Sequence, residues 1–384
     1  MNVFMKKYNI VVLGAGLVGK PIAFDLAKDV NCSVTLVDIN PPSQEIADQY
    51  GIEMLQADLR QKSQVSAAVN VADFVINAVP GFMGFDCLKQ VIEAGKDAVD
   101  IAFYPENPMD LDELAKKQEV RVICDMGVAP GMSHLLVGHF ANQLDHVERA
   151  DIFVGGLPKI RTQPWEYKAV FSPVDVLEEY TRPARLVEHG QMVIKPALTE
   201  VENLEFDGLG TLEAFNSDGL RSLVYTLKAD VMREKTLRYP GYTAKVKLLA
   251  DVGFFNPVKM RVGGVEVSPL SLTSQLLFDQ WKLHKGEEDM TIMRIVVEGS
   301  MNGVRHQFVC DLHDEYDPIS NVHSMARTTG YAASVALRWL MSSETLKKGV
   351  TLPEKLALED GSVDYILAGL AERNVNYKFT HKLL

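Results

Sequence analysis

The chain has 384 residues, 47 % of them hydrophobic, which suits two or three packed domains of ordinary globular composition. A formal net charge of −12 argues against nucleic acid, since phosphate binding needs clustered Lys and Arg, and favours a small-molecule partner. No uncharged apolar run approaches the ~20 residues of a membrane helix, and Cys32, Cys87, Cys124 and Cys310 show neither a CxxC pair nor zinc-spaced histidines, which predicts reduced thiols in a cytoplasmic protein and no metal.

Lys6 and Lys7 ahead of "YNIVVLGAGLVG" have the outline of a signal peptide, but three glycines interrupt the run, Lys20 and Asp25 follow, and no Ala-x-Ala site appears, so the stretch reads as a buried first strand. Short apolar runs then alternate with amphipathic stretches. Strands are predicted at "NIVVLG", "SVTLVD", "EMLQAD", "DFVINAV", "DAVDIAF" and "RVICDMG", with helices over 17–29, 43–50, 62–71, 84–95 and 110–118. Runs apolar on both faces, such as Val11, Val12 and Leu13, predict a parallel sheet covered on each side, a doubly wound Rossmann sheet within an α/β fold.

From about residue 147 to 315 the strand-like segments lengthen ("ADIFVGG", "YKAVF", "TLEAFNS", "TIMRIVVEGS", "VRHQFVCDL") and helical patterns thin to 173–180, 243–251 and 268–280, as in an α+β domain. Residues 324–342, "SMARTTGYAASVALRWLMS", return to a helical pattern rich in small residues. The expected division is a dinucleotide-binding domain over 1–131, an α+β substrate and dimerisation domain over 132–322, and C-terminal helices over 323–384 packing back on the first domain. The apolar strands of the middle domain predict a sheet face that forms a homodimer.

Gly14, Gly16 and Gly19 follow a predicted strand and open a predicted helix. The first permits a tight turn, the second lets backbone approach a pyrophosphate, and the third lets helix and strand pack closely, with Leu17 and Val18 between them at the phosphates. Asp38 ends the second strand 19 residues beyond Gly19, where a carboxylate accepts from the ribose 2′-hydroxyl and repels a 2′-phosphate. Ile39 and Asn40 supply no base for such a phosphate, so NAD is expected over NADP. Asp58 either faces the adenine or caps a helix.

With this fingerprint, "DMGVAPGMSHLL" at 125–136, "VGGLP" at 154–158 and "SMARTTG" at 324–330, the chain resembles the saccharopine dehydrogenase superfamily over nearly its whole length. "WEYKAVFSPVDVLEEYTRPARLVEHGQ" and "LEAFNSDG" look most like its NAD-dependent L-lysine 6-dehydrogenases. The resemblance implies oxidation of the lysine side-chain amine to a semialdehyde. Ala129 and Val154 stand where the saccharopine-forming reductases carry an Asp and a Cys that contact saccharopine, which implies a smaller substrate. "VDIAFYPENP" departs from the Gly-Gly-His stretch of the lysine enzymes, and Arg221 replaces small hydroxyl residues, which implies a pocket shaped for a different amine.

Ligands of a doubly wound sheet sit beyond the carboxyl ends of its strands, which puts Ala78, Val79, Pro80 and Asp100 beside the nicotinamide; Pro80 serves equally as a loop starter. Oxidising an amine needs it neutral and then needs water to attack the iminium, two tasks for a general base. Asp100, Tyr104, Glu106 and His134 are the candidates, Glu106 also reading as a solvated turn and His134 as a satisfied core histidine. Asp125 fits a support for the "GVAPG" turn. A substrate carboxylate suits a guanidinium fork, offered by Arg221, Arg327 and Arg182, each with an exposed salt bridge as its alternative. The leading expectation is an NAD-dependent oxidoreductase acting on C–N bonds, with L-lysine first; the alternatives are a saccharopine-type reductase condensing an amino acid with an aldehyde or keto acid, and a non-catalytic NAD-binding redox sensor.

Overall fold

The computed structural model describes residues 7–169, 173–284 and 286–384, so Lys6 and the end of the predicted strand "YKAVF" lie outside the described residues. The chain divides into two compact units, one running through His139 and resumed over Ala326–Val375, the other covering Phe140–Met325 and Asn376–Leu384.

The first unit opens with β1 (Tyr8–Leu13), α1 (Gly19–Leu26), β2 (Cys32–Asp38), α2 (Gln44–Tyr50), β3 (Glu53–Gln56), α3 (Lys62–Val69), β4 (Phe74–Asn77), α4 (Gly81–Glu93), β5 (Asp97–Asp100), α5 (Asp112–Lys117), β6 (Arg121–Ile123) and α6 (Met132–Ala141). In the second follow β7 (His146–Pro158), α7 (Pro173–Thr181), β8 (Ala184–Glu188), β9 (Gln191–Lys195), β10 (Glu202–Phe206), β11 (Gly210–Asn216), α8 (Leu223–Thr226), β12 (Val231–Arg238), α9 (Tyr242–Val252), β13 (Met260–Val262), β14 (Val265–Val267), α10 (Pro269–Trp281), β15 (Asp289–Met301) and β16 (Val304–Glu315). Then α11 (Ser324–Ser342) leads into β17 (Gly349–Thr351), α12 (Pro353–Leu356) and α13 (Ser362–Ala371) of the first unit, and β18 (Tyr377–Leu383) ends in the second.

The first unit carries a parallel seven-stranded sheet in the order β17-β6-β5-β4-β1-β2-β3. Its chain reverses winding direction between β1 and β4, the switch point at which such sheets bind nucleotides. The burial of all four residues of β4 and of the last four of β1 is that of strands covered on both faces. Helix α1 is tied to the C-terminal segment by Asp25, whose carboxylate takes Arg338 at 2.7 Å, Arg373 at 2.9 Å and the Ser334 hydroxyl at 2.7 Å. The seventh strand, β17, is three residues long and no periodicity announced it.

In the second unit a mixed nine-stranded sheet runs β10-β11-β12-β7-β15-β16-β18, with β8 and β9 branching from β12. The last strand of the chain therefore pairs with β16 rather than joining the C-terminal helices. The strands β8, β9, β10, β12 and the β13–β14 hairpin are additions to the segments singled out in the sequence. The predicted "YKAVF" strand is reduced, in its described part, to a single bridge from Ala169 to Lys282.

The sheet face expected to be apolar carries ion pairs on β15 and β16. On β16, Arg305, Gln307, Val309, Asp311 and His313 alternate with the inward His306, Phe308, Cys310 and Leu312. Arg305 pairs with Glu148 at 2.6 Å, Gln307 donates to Glu298 at 2.7 Å and Arg294 pairs with Asp311 at 2.6 Å, so that face is ionic. Exposed apolar side chains of the unit include Leu248, Val252, Val262, Val265, Leu272 and Leu276 outside this sheet, and Met192, Ile194, Phe379 and Leu383 on its outer strands.

A second core forms where α7, α9 and α10 meet, around Tyr167, Tyr180, Phe215, Tyr242 and Trp281. Arg238 is buried within it. Its guanidinium lies 4.3 Å from the Tyr167 ring centre and donates to Glu179 at 3.0 Å, so the charge is both stacked and paired. Burial pushes the Glu179 carboxyl up against the opposing pull of Arg238.

Candidate functional site

The glycine turn behaves as three different backbone requirements. Gly14 has φ +100°, and a Cβ there would come within 2.5 Å of the Ala78 carbonyl oxygen, while one at Gly19 would lie 1.9 Å from the Gly14 oxygen. A Cβ at Gly16 would meet nothing within 4 Å, so that residue faces open space. Leu17 is exposed there and Val18 half-buried at the start of α1; among the described residues nothing accepts the N–H groups of Gly16, Leu17 and Val18. Free donors, open space and a helix N-terminus fit a pyrophosphate.

Asp38 is fixed beside this turn. One carboxylate oxygen accepts from the Ala15 N–H and the other from the Asn40 N–H, each at 2.8 Å. Two bonds leave lone pairs for ribose hydroxyls, and the carboxylate is pre-oriented by backbone alone. Asp58 is otherwise occupied: Arg60 grips it through two nitrogens at 2.8 and 2.9 Å, and it also takes the Arg60 N–H at 3.1 Å. It thus braces its own turn, and Gln61, not Asp58, stands at the N-cap position of α3, without a side-chain capping bond.

Ala78 follows β4 directly and lies against Gly14, with Val79 buried and Pro80 exposed as the residue capping α4. The structure brings these together with residues 100–104, since a Cβ at Gly81 would come within 2.2 Å of the Phe103 carbonyl oxygen. The three expected catalytic side chains share one environment. Asp100, Tyr104 and His134 are all 0 % exposed, so none presents surface to a ligand in this structure. Asp100 accepts from the Asn77 amide at 2.7 Å, and its second carboxylate oxygen has no hydrogen-bond partner among the described residues. Burial, with nearby Asp125 adding, pushes its carboxyl well above the ordinary range, against the pull of the Asn77 bond. His134 Nδ1 lies 2.9 Å from the Ser133 hydroxyl, as a satisfied core histidine. Glu106 is an exposed turn residue.

Asp125, at φ +55°, precedes the tight turn closed by Gly127 N–H to the Pro130 carbonyl at 3.1 Å and Met132 N–H to the Gly127 carbonyl at 2.8 Å.

The three arginines separate. Arg182 lies on the end of α7 in an ion pair with Glu178 one turn back, the surface alternative. Arg327, in the first unit, donates to the Arg373 carbonyl at 3.0 Å. Arg221 is different: it is 4 % exposed and sits at φ +43°, which a bulky side chain rarely adopts. The turn holding it, 217–221, is built by residues absent from the sequence expectations. Asp218 receives a two-pronged bond from Arg185, both contacts at 2.8 Å, and Glu234 of β12 accepts from Ser217 at 2.6 Å and from the Gly219 N–H at 3.1 Å. In sequence, Glu234 is one of several charges in "MREKTLR"; only its place two residues after the buried Met232 hinted at an inward side chain.

A Rossmann-type dinucleotide turn on one unit and a mixed-sheet unit on the other define a two-part nucleotide-binding protein. Residues 10–123 match the saccharopine dehydrogenase NADP binding domain and residues 127–375 the saccharopine dehydrogenase C-terminal domain, so the chain belongs to the saccharopine dehydrogenase family. It is 27 % identical over 289 residues to mitochondrial alpha-aminoadipic semialdehyde synthase of Mus musculus, a match covering 71 % of this chain but 31 % of that protein. To the NADP(+), L-glutamate-forming saccharopine dehydrogenase of Pyricularia oryzae it is 25 % identical over 267 residues, 66 % of this chain and 59 % of that one. The chain thus spans about a third of the length of the synthases. The fold is shared with apo saccharopine dehydrogenase (L-Glu forming) of Saccharomyces cerevisiae, at a TM-score of 0.81 and 18 % identity over 98 % of this chain and 100 % of that one.

Proposed function

We propose that this chain is an NAD-dependent oxidoreductase that oxidises a C–N bond of an amino acid, with the side-chain amine of L-lysine as the first substrate. The observation that carries the nucleotide part is Asp38, held by the Ala15 and Asn40 N–H groups beside the open face of Gly16. A carboxylate there suits two ribose hydroxyls and opposes a 2′-phosphate. The family domain is described as NADP-binding, yet the basic side chain beyond the adjoining strand, Arg60, is already paired with Asp58.

The amino-acid part is supported by the relatives' names and by buried Arg221 on its own braced turn. Bound NAD supplies the hydride acceptor. The balanced reaction is R–CH2–NH3+ plus NAD+ and water giving R–CHO, NH4+, NADH and H+. This chain contributes a donor-rich turn for the pyrophosphate, Asp38 for the ribose and Arg221 for the substrate carboxylate.

Calorimetry with NADH and NADPH, followed by assay of L-lysine and of saccharopine with each oxidised nucleotide, tests the proposal. Reduction of NAD+ by L-lysine supports it; tighter NADPH binding sinks the Asp38 argument. Turnover of saccharopine alone selects a saccharopine-type reductase, the reading that the named relatives favour. A homodimer stays in the proposal, supported by the exposed apolar side chains between 248 and 276; a monomer in light scattering at micromolar concentration removes it.

A further inference from the structure

The 217–221 turn is local in sequence but is not held locally. Glu234 reaches it from the middle of β12. Its Oε2 accepts from the Ser217 hydroxyl at 2.6 Å and from the Gly219 N–H at 3.1 Å, and the Ser217 N–H donates to the Glu234 carbonyl oxygen at 3.3 Å. Because the Ser217 hydrogen is spent on Glu234, the Thr236 hydroxyl, 2.7 Å away, must donate to Ser217. The chain of donors therefore runs from Thr236 through Ser217 to one carboxyl oxygen. Gly219 rests directly on that carboxyl: a Cβ there would lie 2.4 Å from Glu234 Cδ, so the turn approaches as closely as only glycine allows. Asp218, between the two contacts, is clamped by Arg185 from the start of β8. Two residues beyond Gly219 stands Arg221, at φ +43°.

We propose that Glu234 is the positioning residue that fixes the 217–221 turn and thereby sets Arg221 for a substrate carboxylate; the second half rests on the function proposed above. One oxygen of Glu234 accepts both donors, which favours the carboxylate, whereas burial of the site favours the neutral acid. Burial pushes this carboxyl up to about 8, with Glu179 of α7 and Asp218 adding to the rise against the Ser217 and Gly219 bonds. At neutral pH the acid form holds the turn without placing a third negative charge beside Asp218 and Glu179.

Hydrogen exchange of the peptide spanning 217–222, measured on the whole chain at pH 7, reads the turn whether or not a substrate is known. Glu234→Ala is expected to speed its exchange at least about tenfold, and Ser217→Ala, a milder change, about threefold. Glu234→Gln keeps an accepting oxygen and is expected to stay within about twofold of the wild type. With L-lysine as the probe substrate, Glu234→Ala should raise KM at least about tenfold while kcat changes less than about threefold, and Glu234→Gln should restore KM. Unchanged exchange in both alanine variants overturns the proposal, as does faster exchange that glutamine fails to reverse. Faster exchange with an unchanged KM overturns the link to Arg221. If the wild type does not turn over L-lysine, the functional reading fails on its own and the exchange arm still decides the role of Glu234.

Discussion

Two turns, one in each unit, are built on opposite principles. Around Gly14–Gly19 the requirements are met by backbone: a positive φ, a carbonyl 1.9 Å from where a Cβ would be, and Asp38 bound to two N–H groups. Around 217–221 they are met by side chains from distant strands, Arg185 lying 33 residues away from Asp218 and Glu234 lying 15 from Gly219. A turn fixed by its own backbone leaves glycines at fixed offsets in the sequence. One fixed by remote side chains leaves only ordinary charges.

Arg221→Ala breaks the second turn's function most directly. If Arg221 grips a carboxylate, its loss costs about 2–5 kcal/mol of amino-acid binding, because the partner charge is left desolvated. Dinucleotide affinity should stay unchanged. Steady-state kinetics against the active substrate provide the check, and an unaltered KM would move the carboxylate role to Arg327.

Within the first turn, Gly19→Ala and Gly16→Ala should part company. The former drives a methyl into the Gly14 carbonyl and should cost about 1–3 kcal/mol of stability, as overpacking does. The latter meets nothing, so stability should hold within about 0.5 kcal/mol while dinucleotide affinity falls. Thermal unfolding with and without NADH distinguishes these outcomes, and equal destabilisation would show that Gly16 is structural.

Glu234 and pH sharpen the contrast. Its folded pKa, raised to about 8, exceeds the ordinary 4.5, so the folded state holds the proton more tightly. That contribution is complete below about 4.5 and is lost as pH rises through 8, at no more than about 1.4 kcal/mol per pH unit. Glu234→Gln should therefore flatten the decline in melting temperature between pH 6 and 9 relative to the wild type. A parallel decline would mean that Glu234 is already ionised at neutral pH.

How much of this could be read beforehand follows the same division. Six of the seven strands of the first sheet, the tight turn at Gly14 and the close packing at Gly19 were legible because strand, turn and helix adjoin in the chain. Strand β17 was not, since three residues from a segment more than 200 positions later carry no periodicity of their own. Asp100, Tyr104 and His134 were chosen for chain position and residue type, and their burial, which depends on what covers them, was not legible. Glu234 and Arg185 were invisible as partners because nothing in "MREKTLR" or "RPARLVE" records what lies across the sheet.

Arg182 is the smallest effect and tests the rule by which it was set aside. It lies at the end of α7 with its guanidinium on Glu178, one helical turn earlier, and its side chain is 20 % exposed against 43 % for its partner. Such a pair gains little: solvent screens the attraction, and two long side chains lose rotamer freedom to keep it. Arg182→Ala should thus cost about 0–1 kcal/mol of stability and leave KM and kcat where they were. Salt should remove most of even that small effect, since a partly solvated pair is screened over about one Debye length. A tenfold rise in KM for Arg182→Ala, with Arg221→Ala silent, would reverse the assignment and place the carboxylate on α7.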